Sequence, residues 1–273
     1  MRALADQGLT MTRGFHDPTA ATLLPPGWVR VFHLVERLLR RMPEKRRHRA
    51  LTRLDILPLR TLAIDEALNE ALSQGCRQLV ILGAGLDGRA HRMAELAEVR
   101  VFEVDHPATQ GYKRRKAQGL SRACLELIYV AVDFEHESLA EKLSRAGHAA
   151  DQPTAWIWEG VTMYLTDDGL RATLSAVAGR FAPRSALIVQ YGEPRADKKG
   201  NSPIFLRPLL FAWSEPQIGA RSREKMKTEL ERVGLRVASD AGLAEWAQRY
   251  STGEVDVDTA RTRLAVAVRQ DRG

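Results

Sequence analysis

Short apolar runs recur along the middle of the chain, and a segment with helical spacing of its apolar positions follows each run. Within the runs the apolar residues are consecutive, as in Leu-Val-Ile-Leu at 79–82 and Ala-Leu-Ile-Val at 186–189. Consecutive apolar residues are typical of strands that helices cover on both faces. The alternation of such strands with helices indicates an α/β fold with a doubly wound parallel sheet. The predicted strands are Gln78–Leu82, Arg100–Val104, Leu127–Val132, Thr154–Trp158 and Ser185–Tyr191.

Helices are predicted between these strands, and the tail of the chain adds two more strands. The two late strands extend the sheet to seven strands, most of them parallel. The helices between the strands are Arg89–Leu96, Pro107–Gln118, Glu137–Ala146 and Asp167–Phe181. The tail predicts a helix at Arg223–Val233, a strand at Leu235–Ser239, a helix near Leu243–Tyr250 and a final strand at Arg263–Arg269.

We expect the whole chain to form one domain built around this sheet. An N-terminal helical cap is expected over about residues 1–75, the core over about 76–193 and the C-terminal strands over about 222–273. The segment 195–221 interrupts the rhythm, because prolines flank two apolar clusters there. This segment predicts either a helical lid over a pocket or a helix at the edge of the core.

Composition and charge narrow the class of protein. The chain has 273 residues, 44% of them hydrophobic, with 41 Lys and Arg against 34 Asp and Glu, which is typical of a globular protein. Much of the positive excess lies between Arg37 and Arg53, where leucines interleave with it. This pattern favours the solvated face of one or two helices, and a nucleic-acid partner remains the less favoured alternative.

Some sites and cellular locations are not expected. Neither an apolar run of membrane-spanning length nor a signal-peptide pattern occurs, so we expect a soluble, cytoplasmic protein without a membrane partner. Cys76 and Cys124 form no Cys-x-x-Cys motif, which argues against a disulfide scaffold or a zinc ribbon. We expect both cysteines to be buried and expect no metal site.

A glycine-rich loop follows the first predicted strand and opens a helix. Its sequence, Gly-Ala-Gly-Leu-Asp-Gly at 83–88, fits the G-x-G-x-x-G pattern of a loop that contacts an adenosine cofactor. Asp105, at the end of the second strand, is placed to bind ribose hydroxyls. The pattern alone fits NAD as well as S-adenosylmethionine. Asp87 favours the latter, because a carboxylate repels a pyrophosphate and attracts a sulfonium or an ammonium group.

Four segments together resemble the successive motifs of the leucine carboxyl methyltransferase family. Their order and spacing are similar to the family over roughly residues 55–193. This family also includes carboxyl O-methyltransferases of the tetracenomycin polyketide type. The four segments are 80–89 (VILGAGLDGR), 101–107 (VFEVDHP), 132–134 (VDF) and 159–165 (EGVTMYL).

The resemblance implies a class I methyltransferase fold, which is Rossmann-like, with S-adenosylmethionine bound at the carboxyl ends of strands one to four. Two departures stand out: Gly88 replaces a common Thr, and Phe134 replaces a common Leu. The implied roles are Arg60 for the methionine carboxylate, Gly83 and Gly85 for the methionine portion, Asp105 for the ribose, Asp133 and Phe134 for the adenine, and Glu159 near the positive centre.

The acceptor is inferred from chemistry. A carboxylate acceptor is already ionised near neutral pH, whereas an alcohol or a phenol benefits from a general base. No His–Asp pair is evident at a strand end, which favours a carboxylate. His106 reads as a helix cap, and His91, His136 and His148 read as solvated residues on helices. The resemblance implies that Tyr164 orients the acceptor oxygen; Tyr191 is a second candidate, with a role in the core equally open.

The sequence therefore predicts an S-adenosylmethionine-dependent O-methyltransferase. We expect the acceptor to be a carboxylate or hydroxyl of a small molecule, such as a polyketide-like natural-product intermediate. Three alternatives stay open at this point. They are an RNA methyltransferase, an NAD-dependent oxidoreductase, and a regulatory protein that binds the cofactor without catalysis.

Overall fold

In this computed structural model the described residues are 2–43, 55–133, 136–194, 219–253, 255 and 261–270. They form one seven-stranded sheet with helices on both faces. The strands are β1 Gln78–Leu82, β2 Arg100–Asp105, β3 Glu126–Ala131, β4 Thr154–Trp158, β5 Ala186–Gly192, β6 Leu235–Gly242 and β7 Thr262–Arg269.

The helices precede the sheet or connect its strands. Two short 3-10 helices, Ala94–Leu96 and Thr162–Tyr164, lie among them. The α-helices are α1 Arg2–Asp6, α2 Thr19–Thr22, α3 Pro26–Arg41, α4 Ile56–Ser73, α5 Arg89–Arg92, α6 Pro107–Ala117, α7 Leu139–Arg145, α8 Asp167–Ala178, α9 Arg223–Arg232 and α10 Leu243–Tyr250.

The strand order in the sheet is β3-β2-β1-β4-β5-β7-β6. Strands β1 to β5 are parallel, and β7 runs antiparallel to both β5 and β6. This confirms the predicted doubly wound, mostly parallel sheet. The chain adds β2 and β3 on one side of β1, then crosses to add β4 on the other. In such sheets a ligand crevice opens at the carboxyl ends of the two strands where the order reverses.

Each face of the sheet packs against its own helical layer. On one face Leu79 and Ile81 of β1 pack with Leu68 of α4 and Trp246 of α10. On the other face Val80 and Leu82 pack in a second cluster, with side chains of α8 and α9. All five residues of β1 are buried, which explains why its sequence is apolar at every position.

Most predicted bounds agree with the structure within one or two residues. The helix predicted over 89–96 is the main exception, because it divides into α5 and a 3-10 helix. Met93, between them, has extended backbone angles (φ −93°, ψ 109°) and ends α5. Strand β6 is longer than predicted, since its pairing with β7 continues to Gly242.

The prediction of a solvated His148 on a helix is wrong. His148 lies beyond the end of α7 and is only 4% exposed. Its Nδ1 accepts a hydrogen bond from Arg180 Nε at 3.1 Å, and its Nε2 lies 3.1 Å from Thr154 Oγ1. Burial, together with the positive charges of Arg180 and Arg100, lowers its pKa to about 4. The partners come from distant parts of the chain, so local periodicity could not reveal them.

Two regions discussed from sequence fall largely outside the described residues. These are 44–54 of the basic stretch and 195–218 of the expected lid. Cys76 and Cys124 are both buried with free thiols, as predicted. Within the described part of the chain, every helix is too short or too polar to span a lipid bilayer.

Candidate functional site

The glycine-rich loop lies at the carboxyl end of β1, at the crevice that the strand order creates. Gly83 and Gly85 have positive φ angles of 65° and 47°, a conformation that side chains rarely adopt. A Cβ on Gly83 would also overlap the side chain of Val161, which follows β4. The loop therefore requires glycine at position 83 for both its backbone angle and its close packing.

Asp105, at the end of β2, joins this loop to the neighbouring strand. Its Oδ2 accepts the backbone N–H of Gly85 at 2.5 Å, and its Oδ1 accepts that of His106 at 2.6 Å. His106 caps α6, as predicted, by accepting the N–H of Ala108 at 3.2 Å. Asp105 therefore keeps a partly exposed carboxylate at the edge of the crevice, and its contact with a ribose stays a prediction.

Arg89, the first residue of α5, follows the glycine-rich loop directly. It is fully buried and contacts three carboxylates. Its Nε donates to Asp65 Oδ1 at 2.7 Å, and its Nη1 donates to Asp87 and to Glu159 Oε2, the latter at 3.0 Å. Burial of a guanidinium requires such compensation by nearby negative charge. The sequence reasoning quoted Arg89 in a motif but assigned it no role.

Glu159, directly after β4, is held by two arginines. Its Oε1 accepts Nε of Arg60 at 2.9 Å and lies 2.6 Å from Nη2, while its Oε2 accepts Arg89. Burial alone would raise the pKa of Glu159, but the charges of Arg60 and Arg89 lower it to about 2. Arg60 and Glu159, two predicted site residues from distant parts of the chain, are therefore in contact.

Asp87 is buried and binds within the same cluster. Besides its contact with the guanidinium, its Oδ1 accepts the backbone N–H of Arg89 at 2.7 Å. Burial would raise the pKa of Asp87, yet the charges of Arg89 and Lys113 keep it below its usual range. Its negative charge acts on Arg89 here, so a direct contact with a cofactor stays a prediction.

The N-terminal segment packs against the same loop, which the sequence reasoning missed. Arg2 donates to the carbonyl of Leu86 at 2.6 Å, and it pairs with the buried Asp17 at 3.4 Å. Thr19 donates to Asp17 at 2.6 Å. A Cβ on Gly88 would overlap Thr19 Oγ1. This contact supplies a physical reason for glycine at position 88.

The predicted adenine-binding residues follow β3. Asp133 lies two residues beyond the strand, with Oδ2 at 3.0 Å from His136 Nδ1. The expectation that no His–Asp pair lies at a strand end is therefore wrong, because the turn after β3 brings these two residues together. Its N–H donates to Glu137 at 3.0 Å. Phe134 lies outside the described residues, so its predicted stacking on adenine is not addressed by the structure.

Tyr164 ends the 3-10 helix that follows β4 and is partly exposed. Among the described residues, its hydroxyl makes no hydrogen bond. The turn itself is held by the buried Arg221, which donates to the carbonyls of Thr162 and Leu165, each at 2.9 Å. Tyr191, the second candidate, is fully buried and donates to Asp240 at 2.7 Å, so it belongs to the core.

The fold, the glycine loop and the strand-end acids define a class I methyltransferase fold. Among solved structures, magnesium protoporphyrin IX methyltransferase from Synechocystis PCC 6803 with bound S-adenosylhomocysteine matches with a TM-score of 0.51 at 15% identity, covering 79% of this chain and 86% of that one. The CcbJ methyltransferase from Streptomyces caelestis matches with a TM-score of 0.52 at 16% identity, covering 76% and 88%. At these identities the likeness concerns the fold alone.

A sequence model of the leucine carboxyl methyltransferase family matches residues 1–178, and the chain belongs to this family. The match includes the N-terminal region. A Streptomyces coelicolor protein named "Putative S-adenosyl-L-methionine-dependent methyltransferase" is 39% identical over 150 residues, which are 55% of this chain and 53% of that protein. A Mycobacterium tuberculosis protein of the same name is 36% identical over 143 residues, or 52% and 46%. The chain spans about half the length of the curated relatives it matches. These names give S-adenosyl-L-methionine as the cofactor of those relatives.

Proposed function

We propose that the protein is an S-adenosylmethionine-dependent O-methyltransferase whose acceptor is a carboxylate or hydroxyl of a small molecule, such as a polyketide-like acid. The observation that carries the proposal is the pairing of Arg60 with Glu159 beside the glycine loop. Arg60 is suited to bind a ligand carboxylate, and Glu159 is suited to bind a positively charged group of the ligand. Both lie at the carboxyl ends of the strands where the strand order reverses.

The residues of the crevice fit this cofactor. At Gly85 the position of a Cβ lies 3.8 Å from the carbonyl oxygen of Gly83, so among the described residues this part of the loop leaves room for a ligand to approach the backbone. The buried Nη2 of Arg89 has no hydrogen-bond partner among the described residues, so the site contains one donor that a ligand could engage. We assign Arg60 to the methionine carboxylate, Gly83 and Gly85 to the methionine portion, Asp105 to the ribose, Asp133 and Phe134 to the adenine, and Glu159, with Asp87 behind it, to the positive groups.

The bound cofactor supplies a methyl group on a sulfonium, and a neutral thioether leaves. The protein therefore mainly has to orient the acceptor and exclude water. Tyr164 has a hydroxyl that is not engaged by another described residue and can donate a hydrogen bond to an acceptor oxygen. His106, the histidine nearest to Asp105 along the chain, is already engaged as a helix cap. His136 is paired with Asp133, the acid that we assign to the adenine. A carboxylate acceptor, which requires no base, suits this arrangement better than an alcohol.

Family membership favours a methyl group over a hydride as the transferred group, so the NAD-dependent alternative loses its support. An RNA acceptor rested on the basic stretch, and no contact among the described residues adds to it. A regulatory protein that binds the cofactor without catalysis stays open as an alternative. A further alternative acceptor is the protein carboxyl that gives the family its name. It differs from a small acid in size and so can be separated by experiment.

The test has two stages. Calorimetric titration with S-adenosylmethionine, S-adenosylhomocysteine and NAD should give binding of the first two alone. Methyl transfer is then assayed on aromatic polyketide acids, their phenolic analogues, a peptide ending in leucine, and RNA. Transfer to the small acids supports the proposal. Transfer confined to the peptide or to RNA, or binding of NAD alone, overturns it.

Tyr164→Phe tests the orienting role on any acceptor found. We expect a fall in kcat of roughly tenfold or more with cofactor affinity unchanged, because only the acceptor loses a donor. Tyr129→Phe is the matched control, since Tyr129 lies on β3 beside Arg114, with the ring 5.4 Å from that guanidinium. An equal loss of cofactor affinity in Tyr164→Phe would place the tyrosine in the cofactor site or the core instead.

A further inference from the structure

Glu159 receives its two arginines on different oxygens. Arg60 approaches Oε1 only, and Arg89 approaches Oε2 only. The two arginines also differ in exposure, since the side chain of Arg60 is 18% exposed and that of Arg89 is 0% exposed. Arg60 can therefore leave Glu159 for a ligand while Arg89 stays in place.

Arg89 is also held in place by two acids other than Glu159. Asp65 of α4 accepts its Nε at 2.7 Å and is itself held by Arg92 at 2.6 Å. Asp87 accepts both the guanidinium and the backbone N–H of Arg89. A planar guanidinium can satisfy three carboxylates at once, which a lysine ammonium on its flexible stem cannot do with the same geometry.

The charges of this cluster balance only while Arg60 is part of it. The three acids Asp65, Asp87 and Glu159 face the three arginines Arg60, Arg89 and Arg92. If a ligand carboxylate takes the charge of Arg60, three acids remain with two arginines, and the cluster keeps one net negative charge. That negative charge would lie on Glu159, because Glu159 is the acid that loses its contact with Arg60.

We propose that Arg89 is the positioning residue that holds Glu159 in place when Arg60 exchanges this partner for the carboxylate of the cofactor. This inference rests on the proposed function. It makes Glu159 a sensor of the sulfonium charge, because S-adenosylmethionine carries a sulfonium and S-adenosylhomocysteine does not. Both ligands carry the carboxylate that Arg60 would bind. Arg60 therefore sets affinity for both, and Arg89 sets the preference between them.

The experiment measures the two dissociation constants by calorimetry in wild type, Arg89→Lys, Arg60→Lys and Arg92→Lys. For Arg89→Lys we expect the preference for S-adenosylmethionine over S-adenosylhomocysteine to fall roughly tenfold. For Arg60→Lys both affinities should fall together. Arg92→Lys is the matched control, because Arg92 contacts Asp65 but not Glu159, and its ratio should equal that of wild type.

Glu159→Gln should lower the same ratio, and the double variant with Arg89→Lys should lower it no further, because both changes remove one interaction. Equal weakening of both ligands in Arg89→Lys, or an unchanged ratio, overturns the positioning role. If Arg89→Lys does not fold, Asp65→Asn replaces it in the test, because this change weakens the contact of Asp65 with Nε of Arg89. The preference between the two ligands should then fall in the same way. Failure of wild type to bind either ligand refutes the proposed function instead.

Discussion

The buried His148 makes the stability of the fold depend on pH in a predictable direction. Its ring lies between Phe102 and Trp156, with centroid distances of 5.4 and 5.2 Å. Because Arg180 donates to Nδ1, that nitrogen must be the acceptor, and Nε2 carries the hydrogen toward Thr154. A second proton on Nδ1 would face the guanidinium. The neutral ring is therefore the form that the folded state stabilises.

The magnitude follows from the two pKa values. Folding lowers the pKa of His148 from 6.5 to about 4. The unfolded chain binds the proton more readily, so this contribution is complete above pH 6.5 and is lost as the pH falls toward 4. The difference amounts to about 3 kcal/mol over the whole interval, and about 2 kcal/mol is already lost at pH 5.

The assay is urea unfolding at several pH values between 4 and 7.5, in wild type and in His148→Asn. The asparagine keeps an acceptor for Arg180 and removes the titration. We expect the variant to be less stable than wild type at pH 7.5, because the packing of the ring is lost. The difference in free energy of unfolding between wild type and variant should be smaller by about 2 kcal/mol at pH 5. Leu174→Ala on α8, a buried change that removes no titrating group, is the control, and its difference in free energy of unfolding from wild type should not change with pH.

The comparison must be made as a difference between variants, because Glu103 titrates in the same range with the opposite sign. Burial raises the pKa of Glu103 to about 7, although Lys113 lies 2.6 Å away. Its contribution is present at low pH and is lost as the pH rises from 4.5 to 7. Subtracting the curves cancels this effect. A constant gap between wild type and His148→Asn would refute the reasoning.

Two other predictions concern the loop and its contacts. Asp105→Asn should weaken binding of S-adenosylmethionine and S-adenosylhomocysteine alike by about 2–4 kcal/mol, measured by calorimetry, because it removes the charge that would bind the ribose and weakens the hold on Gly85; unchanged affinity would contradict the ribose assignment. Gly88→Ala should lower the free energy of unfolding by about 1–3 kcal/mol through its overlap with Thr19, and Thr19→Ala should relieve part of that loss in the double variant. If the effects of Gly88→Ala and Thr19→Ala on the free energy of unfolding simply add, the overlap between the added methyl group and Thr19 does not cause the loss of stability.

The sheet was predictable because its central strands are buried on both faces. Every residue of β1 and of β4 is buried, and such strands must be apolar throughout. The antiparallel β6 at the sheet edge mixes exposed and buried positions, so its apolar pattern stops short of the observed end. The end of β6 is set by its pairing with β7, a contact that lies outside any local pattern.

The candidate site was predictable only in its parts. Each strand-end acid stands beside a recognisable apolar run, and the glycine loop marks the first of them. The cluster around Arg89 could not be read in the same way, because its acids come from α4, from the loop and from β4. A charged residue is normally expected at the surface. The available signal was an arginine beside Asp87 in the loop and Glu159 at a strand end, which the predicted topology places near one edge of the sheet.

The anchoring of the chain on either side of residues 193–220 has a consequence for the diversity of relatives. The N–H of Arg221 donates to the carbonyl of Gly192 at 2.8 Å, so the residues on either side of this stretch are adjacent in space. Arg221 also holds the turn that carries Tyr164. A stretch with adjoining ends can change length and composition at small entropic cost. The length of chain between Gly192 and Arg221 can therefore vary among relatives while these two flanking residues stay hydrogen-bonded.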